Sequence, residues 1–158
     1  MFTTLLFIAA AAAIFRKKTM ISPVKGKVTS GFGMRTFRGQ THFHNGNDIG
    51  CNVGTPVVAP ANGTVIKAWN DTTYGGGLSL IILHDDGSSS GFAHLSEFKA
   101  AVNQKVKAGD TVALSGNTGY SSGPHLHFTF VQNGQAVDAL KTGLFKTVKK
   151  SDGSTWFE

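Results

Sequence analysis

The chain has 158 residues, which is enough for one domain with a hydrophobic core. Its 20 glycines and four prolines indicate short elements joined by many turns and argue against a bundle of long helices. No segment repeats with a period of about 20–50 residues, which excludes a solenoid. Because Cys51 is the only cysteine, an internal disulfide is excluded, and we expect a buried, unreactive thiol there.

The formal net charge is +6, and the isoelectric point is about 9.6. Such a balance fits a soluble protein or one attracted to a polyanion, for example a bacterial envelope, a membrane or a nucleic acid. The sequence has no recognised nucleic-acid-binding motif and no run of basic residues beside aromatic ones. Nucleic acid is therefore not expected as a partner.

The first predicted element is an apolar run over residues 2–15, FTTLLFIAAAAAIF, followed directly by Arg16, Lys17 and Lys18. As a helix this run would be about 21 Å long, which is shorter than the roughly 30 Å hydrocarbon core of a bilayer. A signal peptide would carry its positive charge before the apolar run. We therefore predict that residues 1–18 form a separate hydrophobic helix that inserts in or lies on a membrane. A cleaved signal and an ordinary core helix remain alternatives.

The body of the chain, residues 19–158, is predicted to consist of short strands separated by turn residues. Strands are predicted over residues 55–59, 64–69, 78–84, 90–94 and 125–132, and residues 106–114 are predicted to be extended with a turn at Ala108-Gly109-Asp110. Asp86-Gly87 and Asn133-Gly134 are hairpin turn signals. Residues 96–102 are predicted to form a short helix with Ser96 as its N-cap. The expected fold class is mainly β, a domain of antiparallel sheets built from short strands.

Two histidines lie two positions apart in SGPHLHF, at His125 and His127. In a strand, residues i and i+2 point to the same face, so both imidazoles would project toward one small volume. Leu126 and Phe128 would then point into the core. Two polar residues on a solvated face would give the same pattern, and for an isolated pair that explanation is the more common one.

A second polar cluster, HNGND, places His44 four residues before Asp48, and His94 lies in GFAHLS. Gly46 and the neighbouring asparagines argue against a helix, so we expect a loop that leads into a strand at Ile49. Imidazole and carboxylate are good zinc ligands, and three protein ligands with one open position are typical of a catalytic zinc site. Additional histidines near such a metal could transfer protons. The combination predicts zinc-dependent hydrolysis, although each motif alone would more often be structural.

Longer segments around these residues resemble the lysostaphin-type (LytM-like) peptidoglycan endopeptidases. They occur in the family's order and at similar spacing over roughly residues 23–140, which is nearly the whole body. The matching segments are SGFGMR at 30–35, HNGNDI at 44–49, GTPVVAPANGTV at 54–65, AHLS at 93–96, VKAGDTVALSGNTG at 106–119 and SGPHLHF at 122–128.

The resemblance implies a zinc-dependent endopeptidase that hydrolyses peptide cross-links of bacterial peptidoglycan, on a LytM-like fold with a groove for an extended peptide. By position, His44, Asp48 and His127 match the family's three ligands of one Zn²⁺ ion. His94 and His125 match its two catalytic histidines, whose separate roles stay open. Family members that have lost activity usually lack one or more of these five residues, and this chain has all five. The glycine-rich loops at 71–77 and 116–123 are expected to wall the groove.

Two departures from the family pattern concern stabilisation of the oxyanion. Phe92 precedes Ala93-His94 where the family often has tyrosine, and residues 34–43, ahead of the first ligand, contain no tyrosine. Arg35, Arg38 or a histidine would have to assist the oxyanion instead. The missing tyrosine leaves a second hypothesis open, a non-catalytic wall-binding or virion structural protein that uses the same groove without turnover.

The predicted anchor and the implied substrate together constrain the location. A spanning helix followed by a basic cluster would keep that cluster on the cytoplasmic side, which would separate the domain from a cell-wall substrate. Delivery from outside by the virion of a membrane-containing phage would remove this conflict. We therefore predict a membrane-associated protein of the bacterial envelope or of such a virion.

Overall fold

The computed structural model describes residues 19–37 and 39–158. The predicted N-terminal helix with its membrane anchor, and Arg38, lie outside the described residues. Within the described ranges there are 15 strands and one short helix, which confirms the mainly β fold class. None of the helical structure in these ranges is long and apolar enough to cross a membrane.

The strands are short, and most are joined by tight turns, as the glycine content predicts. They are β1 (Gly26–Ser30), β2 (Gly33–Phe37), β3 (Gln40–His44), β4 (Asn47–Gly50), β5 (Pro56–Val58), β6 (Gly63–Asp71), β7 (Gly77–His84), β8 (Ser89–Leu95), β9 (Glu97–Phe98), β10 (Lys105–Val106), β11 (Thr111–Leu114), β12 (His125–Gln132), β13 (Gln135–Val137), β14 (Thr147–Lys149) and β15 (Thr155–Phe157), and the helix α1 covers Ala139–Thr142.

A ten-stranded sheet forms the centre of the domain. Its strand order is β10-β6-β7-β8-β12-β4-β1-β15-β14, and β13 pairs with β12 beside this path. A three-stranded sheet, β5-β11-β9, and the hairpin β2–β3 complete the described part. The pairings between these strands are antiparallel, which confirms the predicted antiparallel architecture.

Strand β12 has one apolar face and one polar face. Leu126 and Phe128 are fully buried in the core, as predicted. His125, His127 and Thr129 alternate with them and line a surface cleft on the opposite side of the sheet. Because side chains alternate along a strand, the same eight residues supply both a core and a site.

Aromatic rings anchor the core behind this strand. Phe128 stacks on Phe92 with ring centroids 5.8 Å apart. It also meets the edges of Phe145 at 5.3 Å and Phe157 at 6.2 Å. Truncating a buried phenylalanine to alanine typically costs about 3–5 kcal/mol. The cluster therefore fixes the strand whose other face carries the histidines.

The predicted helix over residues 96–102 is wrong. Glu97–Phe98 is strand β9, which pairs with β11. The Ser96 hydroxyl does not cap a helix because it donates to the carbonyl oxygen of Ser115 at 2.8 Å. The amide groups of Lys99 and Ala100 both donate to the carbonyl oxygen of Val112. Pairing with a neighbouring strand has replaced the local helical hydrogen bonds.

Two loops approach each other at one edge of the cleft: loop 72–76, between β6 and β7, and loop 115–124, between β11 and β12. The amide of Tyr120 donates to the carbonyl oxygen of Gly75 at 2.7 Å. Gly119 has a left-handed φ of 73°, and a Cβ atom there would overlap the carbonyl oxygen of Gly75 and the amide nitrogen of Gly77. Glycine is required at this position for both conformation and space.

Replacing Gly119 by alanine should therefore destabilise the domain more than replacing Gly134 by alanine. Both glycines have nearly the same left-handed φ, 73° and 75°, so both variants carry a similar backbone cost of about 1–2 kcal/mol. Gly134 has open space around the added Cβ, whereas Gly119 does not, and overpacking typically adds about 1–3 kcal/mol. Urea unfolding of the two variants measures the difference. Equal losses of unfolding free energy would contradict the close approach of the loops.

Candidate metal centre and active site

Three side chains converge on one point at the floor of the cleft. His44 Nε2 lies 3.1 Å from Asp48 Oδ1 and 2.9 Å from His127 Nδ1, and His127 Nδ1 lies 2.9 Å from Asp48 Oδ1. His44 and Asp48 are buried, and His127 is half-buried. These are the three residues whose sequence positions suggest metal ligands.

The backbone explains why these three side chains meet. Antiparallel pairing of β4 with β12 sets Asp48 directly opposite His127. His44 ends β3, and a two-residue turn leads from it into β4. At Gly46, within that turn, a Cβ atom would lie 2.5 Å from the Phe128 carbonyl oxygen and 2.9 Å from the His127 ring. A residue without a side chain is thus required between the two ligand positions.

Hydrogen bonds on the far side of each ring orient these imidazoles. His44 Nδ1–H donates to the carbonyl oxygen of Gly31 at 2.7 Å. His127 Nε2–H donates toward Thr129 Oγ1 at 3.1 Å and Asn45 Oδ1 at 3.2 Å. In the neutral rings, the lone pairs of His44 Nε2 and His127 Nδ1 therefore face the convergence point. Such outer partners fix the tautomer of a metal-ligating histidine.

Arg35 organises the carboxylate. Its Nη1 donates to Asp48 Oδ2 at 2.7 Å and to Ser30 Oγ at 2.6 Å, and its Nε donates to His42 Nε2 at 3.1 Å. Arg35 therefore binds one carboxylate oxygen and leaves Oδ1 directed at the histidines. The sequence suggested Arg35 for the oxyanion, whereas its contact in the structure is with Asp48.

The electrostatics of the cluster keep the carboxyl group ionised. Burial alone would raise the pKa of Asp48, but hydrogen bonds and positive charge from His127 and His44, when these rings carry a proton toward Asp48 Oδ1, hold that pKa well below its usual range. With that inner proton absent, the charged carboxylate and the two inward lone pairs form a donor set that zinc prefers.

The spacing of the donors also fits a single ion. Zinc bonds to imidazole nitrogen and carboxylate oxygen are about 2.0–2.2 Å long, so two ligands of one ion lie at most about 4 Å apart. The three donor separations, 2.9, 2.9 and 3.1 Å, are all shorter than this limit. The residues present thus fit a zinc ion.

The other two predicted site histidines lie beside this cluster. His125 Nδ1–H donates to the carbonyl oxygen of Gly123 at 2.7 Å, and its Nε2 lies 3.7 Å from Asp48 Oδ1. His94 Nδ1–H donates to the carbonyl oxygen of Thr118 at 2.8 Å. The rings of His94 and His125 have centroids 4.7 Å apart. Burial lowers the pKa of His94, which favours the neutral ring with its acceptor nitrogen at Nε2.

His94 reaches the cleft through an unusual backbone conformation. In β8 the buried positions alternate, and Ser90, Phe92 and His94 share the buried phase. His94 nevertheless lines the cleft, and its φ is 61°, in the left-handed region. This region is uncommon for residues other than glycine and is found preferentially at functional sites. Strand alternation alone could not have predicted this orientation.

The cleft has a volume of about 1040 Å³ and runs along the outer face of the central sheet. Residues of hairpin β2–β3 and of loops 72–76 and 115–124 line it, as expected for the two loops from their glycines. Tyr74 and Tyr120, one in each loop, line the cleft with 91% and 58% of their surface exposed. Both were missed by sequence reasoning, which sought a tyrosine only beside the predicted site residues. His42 also lines the cleft.

The chain is similar to known proteins in sequence and in fold. The model of the family described as Peptidase family M23 matches residues 42–139. The peptidoglycan DD-endopeptidase ShyA of Vibrio cholerae is 34% identical over 123 residues, which are 76% of this chain and 28% of ShyA. The chain spans between 22% and 28% of the length of three curated relatives that it matches.

Two solved structures share the fold. The catalytic domain of lysostaphin from Staphylococcus simulans has a TM-score of 0.67 at 35% identity, over 74% of this chain and 91% of that domain. A zinc-containing peptidase from Vibrio cholerae has a TM-score of 0.70 at 32% identity, over 78% of this chain and 38% of that chain. The family model covers more than half of the sequence, from strand β3 to helix α1, and with these similarities it shows that the chain belongs to peptidase family M23.

Proposed function

We propose that this chain is a zinc-dependent endopeptidase that hydrolyses peptide cross-links of bacterial peptidoglycan. The observation that carries this proposal is the convergence of His44, Asp48 and His127 beside His94 and His125 in one open cleft. The similarity to ShyA, whose name describes a peptidoglycan DD-endopeptidase, supports the substrate class. The zinc-containing relative supports the metal.

In this proposal, His44 Nε2, Asp48 Oδ1 and His127 Nδ1 hold one zinc ion. When bound, zinc supplies a Lewis acid that polarises the scissile carbonyl and eases loss of a proton from water. Arg35 binds Asp48 Oδ2 and so keeps Oδ1 turned toward the two imidazoles. The backbone carbonyl of Gly31 accepts a hydrogen bond from His44 Nδ1 and so keeps Nε2 of that ring turned toward the other two ligands.

His94 and His125 are the proposed proton-transfer groups. Each donates Nδ1–H to a backbone carbonyl, so Nε2 is the nitrogen that can take or give a proton. One of them removes a proton from the attacking water, and the other steadies the tetrahedral intermediate or protonates the leaving amine. Because Arg35 is engaged with Asp48, the candidates for the oxyanion are a histidine and Arg38, which lies outside the described residues.

An extended peptide fits the shape of the cleft. The cleft is open to solvent along the sheet, and its walls are the hairpin β2–β3 and the two loops that carry Tyr74 and Tyr120. A binding protein without turnover would need the groove but not all five polar residues. Their joint presence, with Nδ1 of both His94 and His125 bonded to a backbone carbonyl, favours catalysis over that alternative.

The decisive experiment is mass spectrometry of the muropeptides released from purified walls. The zinc-loaded protein is incubated with walls that contain direct cross-links and, separately, with walls that contain glycine bridges. Cleavage should convert cross-linked dimers to monomers with a new amino terminus, and the released mass identifies the bond. An unchanged muropeptide profile in both walls, despite binding, would favour the non-catalytic alternative.

Substituting alanine for His44, Asp48 or His127 should remove the zinc. Each residue supplies one of three protein ligands, and even losses outside the first coordination sphere typically reduce affinity by about 10–100-fold. Elemental analysis of the purified variants measures zinc per chain. Full zinc occupancy in any one variant would exclude that residue from the ligand set.

His94→Ala and His125→Ala should retain zinc and lose most activity. Neither residue supplies an atom of the three-ligand group, whereas a positioned proton-transfer group typically contributes about 10²–10⁴ in rate. Turnover of a cross-linked muropeptide is measured beside zinc content for the same preparations. Near wild-type turnover in either variant would refute its catalytic assignment.

The proposed location is a membrane surface of the bacterial envelope or of a membrane-containing virion, reached through residues 2–15. The support comes from the sequence alone, from the apolar run and the basic residues Arg16, Lys17 and Lys18 behind it. Lysine and arginine near an anionic surface contribute about 1 kcal/mol each.

In a flotation assay with anionic liposomes, the full chain should rise with the vesicles. A shortened chain that begins at Thr19 should stay at the bottom of the gradient and remain active, because every residue of the site lies after that position. A full, unprocessed chain that does not float would contradict the anchor.

A further inference from the structure

His94 occupies a position that its own strand does not determine. Its φ of 61° departs from the extended conformation of β8. The pairing of β7 with β8 is also irregular here, with a register shift between Leu78 and Leu80. Something outside the strand must therefore hold the ring of His94 in the cleft.

Both hydrogen bonds that fix His94 come from the loops at the edge of the cleft. Its amide donates to the carbonyl oxygen of Gly76 at 2.7 Å, in loop 72–76. Its Nδ1–H donates to the carbonyl oxygen of Thr118 at 2.8 Å, in loop 115–124. The second bond determines which ring nitrogen carries the proton.

The hydroxyl of Thr118 holds that carbonyl in place. Thr118 Oγ1 donates to the carbonyl oxygen of Leu95 at 2.6 Å and accepts the amide hydrogen of Leu78 at 3.0 Å. Leu95 follows His94 directly, and Leu78 pairs with Leu95 across the two strands. One side chain thus ties loop 115–124 to both strands at the irregular point of the sheet.

Close packing leaves the loop little freedom at this point. A Cβ atom on Gly77 would lie 2.5 Å from the carbonyl carbon and 2.5 Å from the hydroxyl oxygen of Thr118. Thr118 therefore packs directly against the first residue of β7, and its carbonyl accepts from the His94 ring.

We propose that Thr118 is a positioning residue for His94: its hydroxyl fixes the backbone carbonyl that accepts Nδ1–H and so keeps His94 Nε2 available in the cleft. The inference rests on the proposed function in one respect, the role of His94 in proton transfer. The orientation and tautomer of the His94 ring can be measured without turnover.

The test compares Thr118→Ala with Thr118→Ser. The two variants differ by the hydroxyl group alone, so serine should keep the hydrogen bonds to Leu78 and Leu95 that alanine removes. Misplacement of a reacting group by about 1 Å can cost about 10² in rate, so we expect kcat to fall about 10–100-fold in Thr118→Ala. KM and zinc content should stay near wild type in both, and Thr118→Ser should keep most of kcat.

Thr142 provides a matched control. Its hydroxyl also donates to a carbonyl, that of Ala139 at 2.8 Å, and accepts an amide hydrogen, that of Leu144 at 3.1 Å. Both threonines are half-buried, but Thr142 lies at the end of helix α1, whereas Thr118 lies in loop 115–124 and its carbonyl accepts from the His94 ring. Thr142→Ala should lower the unfolding midpoint without changing kcat.

A second readout is the magnetic resonance spectrum of the zinc-loaded protein with its histidines labelled with the heavy nitrogen isotope. His94 should show a protonated, hydrogen-bonded Nδ1 in the wild type and in Thr118→Ser, and a mixture of tautomers or an exchanging proton in Thr118→Ala. The signal is assigned by its absence in His94→Ala. This measurement also serves for Thr118→Val if the alanine variant folds poorly.

The proposal is overturned if Thr118→Ala keeps wild-type kcat and the wild-type His94 signal. It is equally overturned if serine is as damaging as alanine. If the His94 signal changes as expected while His94→Ala remains fully active, positioning by Thr118 stands and the catalytic role of His94 in the proposed function fails.

Discussion

The antiparallel pairing of β4 with β12 is the constraint on which the site depends. It sets His127 opposite Asp48 and at the same time directs Leu126 and Phe128 into the core. A slip of one residue would exchange the two faces of β12, burying imidazoles and exposing phenylalanine. The hydrophobic energy that fixes the register of this strand therefore also fixes the geometry of the donor atoms. Core and site are two faces of one eight-residue segment.

Sequence reasoning succeeded where a local pattern determines the structure. Alternation in HLHFTF predicted strand β12 and the shared face of His125 and His127. The Asn133-Gly134 signal marks a turn in which both residues have positive φ, 51° and 75°. The expectation of a non-helical HNGND segment also holds, because His44 ends one strand and Asp48 lies in the next. Resemblance over the body of the chain extended these local inferences to the family, which the comparisons confirm.

Prediction from the sequence failed where contacts between residues far apart in the chain determine the local structure. The hairpin β2–β3 has exposed apolar residues such as Met34 and Phe43, so no alternation with a buried face marks its strands. Residues 96–102 begin with a serine suited to a helix N-cap, yet the amides of Ser96, Lys99 and Ala100 donate to carbonyl oxygens of β11, more than ten residues away. The contact of Arg35 with Asp48 joins two segments whose relation only the fold defines. None of these features has a local signal of its own.

The edge of the cleft and the orientation of His94 are parts of one hydrogen-bonded unit. Loop 72–76 gives its Gly75 carbonyl to the amide of Tyr120 and its Gly76 carbonyl to the amide of His94. Loop 115–124 carries both Tyr120 and the Thr118 carbonyl that accepts from the His94 ring. A peptide that displaces Tyr120 would therefore also disturb the two loops whose carbonyl groups accept hydrogen bonds from His94. Because the backbone of His94 is in an unfavoured conformation that its surroundings must maintain, the wall of the groove cannot move far without releasing that ring.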